Sequence, residues 1–429
     1  MNGSSVGARH SVLTIRLSMN SMLTFLFIFY FCREAVVSIG AQIMRSDIAN
    51  FFYVVAFLFL FVICCLYTRF RNLNATIVCY LLVTVAIGIT LLLHPEYSSW
   101  FFYSETNKYY SISSRFLSPK GALWALAVVS LLSDPKKIIK CLKFTAFVLF
   151  AYYTLKFAQA TIQGYWGVLD ANLEPSQSTY NLDFGYNIIF PMAYFAGIAL
   201  LEKRKLFWIP YVAGLFQVIM SGSRGAFIFA ALLPAVFLPF AWKNLTEKQK
   251  QILKFVTVVI LPLLILLFLN FQVFISGFAQ FLMDRGFSSR TLLSIVNGTI
   301  SEANGRDDIY AMSLELIKTG GPFGRGVYGD RTTIGQYFSW GYSHNIFLEM
   351  LVSFGYIGGG ILILLLVICV IKCFTKWCTT NEDRICFVSF FVPSLKLLFS
   401  SSFWYLPQFW GLLAVFFILR RKYLRNSDA

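Results

Sequence analysis

Apolar runs about as long as a bilayer is thick follow one another along most of the sequence, and no other feature constrains the fold as strongly. They lie near 17–36, 50–67, 75–93, 117–133, 144–162, 187–201, 206–221, 225–242, 255–276, 345–371, 385–400 and 405–419. A helix needs roughly 20 residues to cross the hydrocarbon core. Hydrophobic residues fill 58% of the 429 positions and charged residues 13%, against roughly 45–50% and about 25% in soluble domains. No water-soluble core could hide that much apolar side chain. The expected fold is an all-α polytopic membrane protein with about 12 transmembrane helices.

A formal charge of +16 would suit a nucleic-acid partner if the cations formed one surface. They do not. Basic residues cluster in alternate short loops: Lys136/Lys137/Lys140/Lys143, Lys203/Arg204/Lys205, Lys243/Lys248/Lys250/Lys254, Lys372/Lys376/Arg384 and the tail Arg420/Arg421/Lys422/Arg425. Short loops rich in Lys and Arg stay on the cytoplasmic side, so both termini are expected there and no nucleic acid is expected. The first run is too long for the core of a signal peptide and reads as an anchor. None of the nine cysteines falls in a long outer loop, so no disulfide is expected, and the Cys373/Cys378 spacing does not suit a metal. The chain then divides into 1–276 (spans 1–9), 277–344 (one large outer loop) and 345–429 (spans 10–12 and a tail).

The outer loops carry mostly arginine: Arg33, Arg45, Arg115, Arg224, Arg285, Arg290, Arg306, Arg325 and Arg331. The topology rule would exclude cations there, whereas a planar guanidinium suits bidentate capture of phosphate oxygens. Pairing with Asp307, Asp308 or Asp330 is the plainer alternative. Arg224 lies in Ser221-Gly222-Ser223-Arg224-Gly225, where an outer helix start would offer free N–H groups and a positive dipole end to an anion. Arg306 opens a second expected helix, 305–319, with Asn304 as its N-cap. His344 precedes Asn345 at the outer start of the tenth span and can accept a proton near neutral pH, or merely cap that helix. Glu349 lies just over a turn inside the same span, where an ionisable group is a functional candidate, orienting Asn345 or His344. Lys156 and Lys396 also fall within expected spans, and either could snorkel outward. Outer aromatics such as Trp100, Trp166, Trp340, Tyr342 and Trp404 could stack on sugars or form an interfacial belt.

No HExxH, P-loop, GxSxG or Rossmann fingerprint is present, nor an outer carboxylate cluster suited to a divalent metal. A transferase built on this chain is expected to use no metal and no nucleotide cofactor.

In order, Ser223-Arg224-Gly225, Gly305-Arg306, Gly324-x-Gly326 and His344-Asn345 followed by Gly355-x-x-Gly358 resemble the O-antigen polymerase/ligase superfamily, over about 205–371. That resemblance implies a bacterial inner-membrane glycosyltransferase. Its donor is an undecaprenyl-pyrophosphate-linked oligosaccharide and its other expected partners are membrane lipid and a chain-length regulator. It also implies that Arg224, Arg306 and Arg325 hold the donor pyrophosphate and that His344 activates the acceptor hydroxyl, with inversion at the anomeric carbon. Ser223, Asn345 and Glu349 are expected to support them. A Wzy-type polymerase is favoured, by the 46 Phe; a ligase transferring finished polysaccharide to lipid A-core is the alternative, and a lipid-linked oligosaccharide flippase or transporter the more distant one.

Overall fold

The computed structural model describes residues 19–70, 72–102, 111–169, 175–178, 181–241, 306–338 and 341–427, with a few positions between 277 and 285. The expected ninth span (255–276), the lysines at 243–254, Arg290, Asn304 and Trp340 lie outside the described residues. The described helices are α1 (Met19–Phe31), α2 (Arg33–Ile43), α3 (Ser46–Thr68), α4 (Asn74–Leu93), α5 (Ser98–Phe101), α6 (Leu123–Leu132), α7 (Pro135–Gln163), α8 (Leu182–Leu201), α9 (Trp208–Met220), α10 (Arg224–Val236), α11 (Leu238–Ala241), α12 (Arg306–Gly320), α13 (Arg331–Ile334), α14 (Ile346–Lys372), α15 (Asn381–Ser394) and α16 (Pro407–Ser427).

Each expected span outside 255–276 falls on one of these helices, but crossing is a stricter property. Five described helices are long and apolar enough to cross a membrane: α3, α4, α7, α8 and the run Ile346–Trp377. A sixth follows if α1 and α2, bent by 75°, form one span. The bend falls where charge interrupts the apolar run: Arg33 donates to the Lys120 carbonyl, and Glu34 receives Lys156 at 2.5 Å and Tyr153 Oη at 3.1 Å. Lys156, whose side chain is 40% exposed, is therefore paired with Glu34 at this bend. α6, α9 and α10 are shorter apolar helices.

Helix starts are set by local chemistry. Asp134 accepts the Lys136 N–H at 3.0 Å with Pro135 following it, and Gly164 ends α7 in the left-handed region at φ 76°. Asn181 caps α8, Asn345 caps α14, and Thr380 with Asp383 forms a capping box on α15. α8 is the central helix, packed against α7, α9, α10 and α15. α3, α4 and α14 turn large apolar side chains outward, among them Phe59, Leu92 and Leu364. Water would penalise such surfaces and acyl chains would not.

The bundle has two ends of different character. At one, Asn381 Nδ2 donates to the Leu201 carbonyl and Lys422 pairs with Asp383 at 2.7 Å, beside Arg384. Lysine-rich loops gather here. At the other, the starts of α8, α10 and α14 meet. A two-stranded ribbon, Trp166–Leu169 against Pro175–Ser178, also lies in the stretch expected to be a plain loop. It is anchored by Trp166, whose buried ring packs 4.6 Å from Phe184, so this tryptophan is committed to packing. Trp404 is likewise buried, against Phe116 and Phe403.

Segment 322–326 docks edge-on to a break in α14. Gly355 adopts φ 68°, ψ −177° inside the helix. The backbone N–H groups of Arg325 and Gly326 donate to Val352 and Ser353, and Ile357 N–H donates to Pro322. A loop thereby replaces hydrogen bonds that the helix gives up. A side chain at Gly324, itself at φ 75°, would stand 2.7 Å from the Val352 carbonyl oxygen. The Gly324-x-Gly326 and Gly355 motifs thus serve loop docking. Gly324→Ala is expected to cost about 2 kcal/mol or more, from left-handed strain plus backbone overlap, read as a lowered thermal midpoint in detergent. Gly360→Ala, whose methyl would meet nothing within 4 Å, is expected to leave that midpoint unchanged or slightly raised.

Candidate functional site

The site grows from helix starts that are bonded to one another. Asn181 N–H donates to the Ser221 carbonyl at 2.8 Å, joining the start of α8 to the Ser221–Ser223 turn. Gly222 makes that turn at φ 79°. Gly185 lets the turn approach, since a side chain there would lie 2.7 Å from both Ser221 Oγ and Ser223 Cβ. Gly225 likewise sits against the Tyr186 hydroxyl. Arg224 therefore opens α10 beside Gly185 and Tyr186. The Arg224 side chain lies outside what the structure describes. Ser223 is buried, and its hydroxyl has no partner among the described residues.

Across this junction stands α14. Asn345 Oδ1 accepts Phe347 N–H at 2.9 Å and Leu348 N–H at 3.3 Å, while its Nδ2 donates to the Leu398 carbonyl at 3.1 Å. One amide thus caps α14 and ties it to the 395–398 turn that carries Lys396. Lys396 is buried; its Nζ lies 2.9 Å from Asp183 and 5.0 Å from the Tyr186 ring centre. The Asp183 carboxylate remains 82% exposed. Arg306 opens α12 within electrostatic range of Tyr186, Tyr310 and His344.

His344 itself has left-handed backbone, φ 52°, a conformation uncommon for residues other than Gly, Asn and Asp. The neighbouring packing holds it. Ser343 donates to Asp330 Oδ2 through N–H at 3.0 Å and Oγ at 2.8 Å. Asp330 Oδ1 receives Arg331 at 2.6 Å, and Arg331 reaches Glu349 at 2.7 Å and Ser402 at 3.0 Å. Ser402 Oγ in turn donates to Glu349 at 2.6 Å. The Tyr342 ring packs 4.2 Å from the imidazole and lies 5.2 Å from the Arg331 guanidinium.

These positions refine the sequence-level expectations. The Glu349 N–H donates to the Asn345 carbonyl at 2.9 Å as part of the helix, but its carboxylate turns away from Asn345 and His344; a buried carboxylate needs a cation and donors, which Arg331, Ser402 and the Phe403 N–H supply. Arg331, one of the outer-loop arginines, is wholly committed to that network. Arg325 turns to Thr319 Oγ1 at 2.7 Å and to Tyr97, and it is not among the cations acting on His344. Arg306, His344 and the backbone of 223–225 do converge. Asp183 and Tyr186 were not singled out as site residues, although both follow the Asn181 cap at a spacing that puts them on one helix face. Lys396, expected within a span and free to snorkel outward, is instead buried and paired with Asp183; its place in an apolar run is the signal.

Of the three cations within reach of the imidazole, Arg331 is spent on its buried network, while Arg306 and Lys396, beside the exposed Asp183 carboxylate, can hold a multiply charged anion. In this buried, cationic setting the imidazole stays neutral. Burial, then Arg306, Arg331 and Lys396, pushes the His344 pKa down to about 3. The unfolded chain takes this proton near pH 6.5, so His344 adds no pH dependence above that value. Below it, only the unfolded state is protonated, and stability falls as pH drops toward about 3. Wild-type protein is expected to lose more thermal stability between pH 7.5 and 5 than His344→Asn, a substitution that tolerates the left-handed backbone.

Residues 209–364, from α9 through about two-thirds of α14, match the family described as O-Antigen ligase. No curated protein matches the chain. The matched segment contains Ser223–Gly225, Arg306, the docked glycine loop and His344 in one order. That match supports the resemblance to the O-antigen polymerase/ligase superfamily.

Proposed function

We propose that the chain is a glycosyltransferase that polymerises undecaprenyl-pyrophosphate-linked repeat units on the periplasmic face of the bacterial inner membrane. The observation that carries this reading is the meeting of the α10 start, Arg306, Lys396 and His344 at the bundle end remote from the lysine-rich loops. By the charge rule for loops, the lysine-rich end is cytoplasmic and the site is periplasmic, with residues 277–344 forming the large periplasmic loop. Nucleotide sugars are absent there, so a donor already activated on a lipid is required.

The donor diphosphate would lie against Arg224, Arg306 and the N–H groups opening α10, where the helix dipole favours anions. The bond from the anomeric carbon to the diphosphate oxygen breaks, and its electron pair leaves with the prenyl diphosphate. The acceptor hydroxyl oxygen bonds to that carbon from the opposite face, and its proton passes to the imidazole of His344. Cations on the leaving oxygens supply the main stabilisation. They also link binding to base strength. A bound diphosphate offsets the charges of Arg306 and Lys396 and restores proton affinity to a histidine that is a poor base in the empty site. Arg325 and Glu349 then support the site through loop docking and the Arg331 network.

The family description favours a second reading, transfer of finished polysaccharide to lipid A-core. A deletion strain separates the two on a lipopolysaccharide gel. One repeat unit left on core means polymerase; no O-antigen on core, with long polymer retained on lipid, means ligase. In the complemented strain, Arg306→Ala and His344→Asn are each expected to lower product formation by about 10²-fold or more at unchanged protein level. Normal ladders in both variants would overturn the site assignment.

A further inference from the structure

The Lys396–Asp183 pair lies at the centre of the candidate site. Lys396 is 8% exposed, and its ammonium lies 2.9 Å from an 82%-exposed carboxylate. A cation inside a bundle needs a counterion. A carboxylate open to water is a weak one, because solvent competes for it. The pair is therefore strong enough to hold Lys396 in place and weak enough to exchange. Arg115 and Lys156 also stand within electrostatic range of Asp183, so this carboxylate would not be stranded without Lys396.

The position of Lys396 is fixed from two sides. The turn that bears it is bonded to Asn345, next to His344, and its side chain lies over Tyr186, whose hydroxyl abuts Gly225. The ammonium thus stands between the α10 start and the imidazole. Lysine on its flexible stem acts as a point charge that can swing between nearby oxygens. A diphosphate offers more negative charge than one carboxylate does.

We propose that Lys396 is a further ligand of the donor diphosphate and that Asp183 is its resting counterion, released when the diphosphate arrives. This inference rests on the donor-site reading above. The pair then acts as a latch: Asp183 holds the ammonium in place while no donor is bound and competes with weaker anions for it. The plainer role for Lys396 is to close the C-terminal end of α15 as part of a fixed ion pair, and the two roles differ in the sign of one effect.

The test is binding of inorganic pyrophosphate to the purified full-length protein in detergent, with thermal unfolding as a check on folding. Lys396→Ala is expected to weaken binding about tenfold, the loss of one charge-assisted hydrogen bond. Asp183→Asn is expected to tighten it by about threefold or more, because the ammonium no longer has to be taken from a carboxylate. The double variant should bind as Lys396→Ala does, since Asp183 acts through Lys396. The proposal is overturned if Asp183→Asn weakens binding or leaves it unchanged, or if its gain survives in the Lys396→Ala background. Should Lys396→Ala fail to fold, Lys396→Arg in place of it keeps the charge and must bind within about threefold of wild type, and Asp183→Asn decides the sign. Arg306→Ala separates this proposal from its parent. If that variant weakens binding and the Lys396 and Asp183 variants do not, the latch alone fails; if wild type shows no binding, or Arg306→Ala has no effect, the donor-site reading fails with it.

Discussion

A guanidinium with no water around it holds the site end of this molecule together. Arg331 is fully buried between Asp330 and Glu349, and each partner belongs to a different segment. Asp330 belongs to the loop and fixes Ser343, Glu349 belongs to α14, and Ser402 belongs to the turn before α16. Burying three charges is costly, and the cost is recovered only when the remaining lone pairs find donors. Here Ser343, Ser402 and the Phe403 N–H supply them. Removing one member of such a group typically costs about 3–5 kcal/mol. His344, one residue beyond Ser343, is held in a left-handed conformation by the segments this network joins. Strain of that kind persists only where the surroundings over-determine it.

Electrostatics at the site follows from what the network leaves over. Arg331 is spent on Asp330 and Glu349, and Arg325 on loop docking. Arg306, Lys396 and the opening N–H groups of α10 remain, with Asp183 beside Lys396 and Asp307 and Asp308 following Arg306. Burial, and after it Arg306, Arg331 and Lys396, keep the imidazole neutral, and a multiply charged anion would offset the cationic part. In this account donor capture and acceptor activation are one electrostatic event, because the charge that the cations bind is the charge that makes His344 basic.

The sequence made the helices legible because bilayer-length apolar runs leave few alternatives. Every expected span outside 255–276 lies on a described helix. The break at Arg33 was not read, because an apolar run gives no warning that Glu34 will meet Lys156 from a helix more than a hundred residues later. The site was legible where local chemistry marks it: small residues flanking Arg224, the Arg306 helix start, and Asn345 as a cap. Long-range pairings were not. Glu349 was read as serving its neighbour in sequence, whereas Arg331 and Ser402 claim it. Lys396 and Asp183 are 213 positions apart, about half of the chain, and meet because α15 packs along α8. The glycines of 324–326 and 355 carry the family resemblance in the sequence. Their close backbone approach docks the loop against α14.

The most direct measurement of the central claim is turnover by the purified protein in detergent, supplied only with an undecaprenyl-pyrophosphate-linked repeat unit. The account expects glycans lengthened by whole repeat units, with one prenyl diphosphate released for each linkage formed. Glycans that stay at a single unit, with no prenyl diphosphate released, would contradict it.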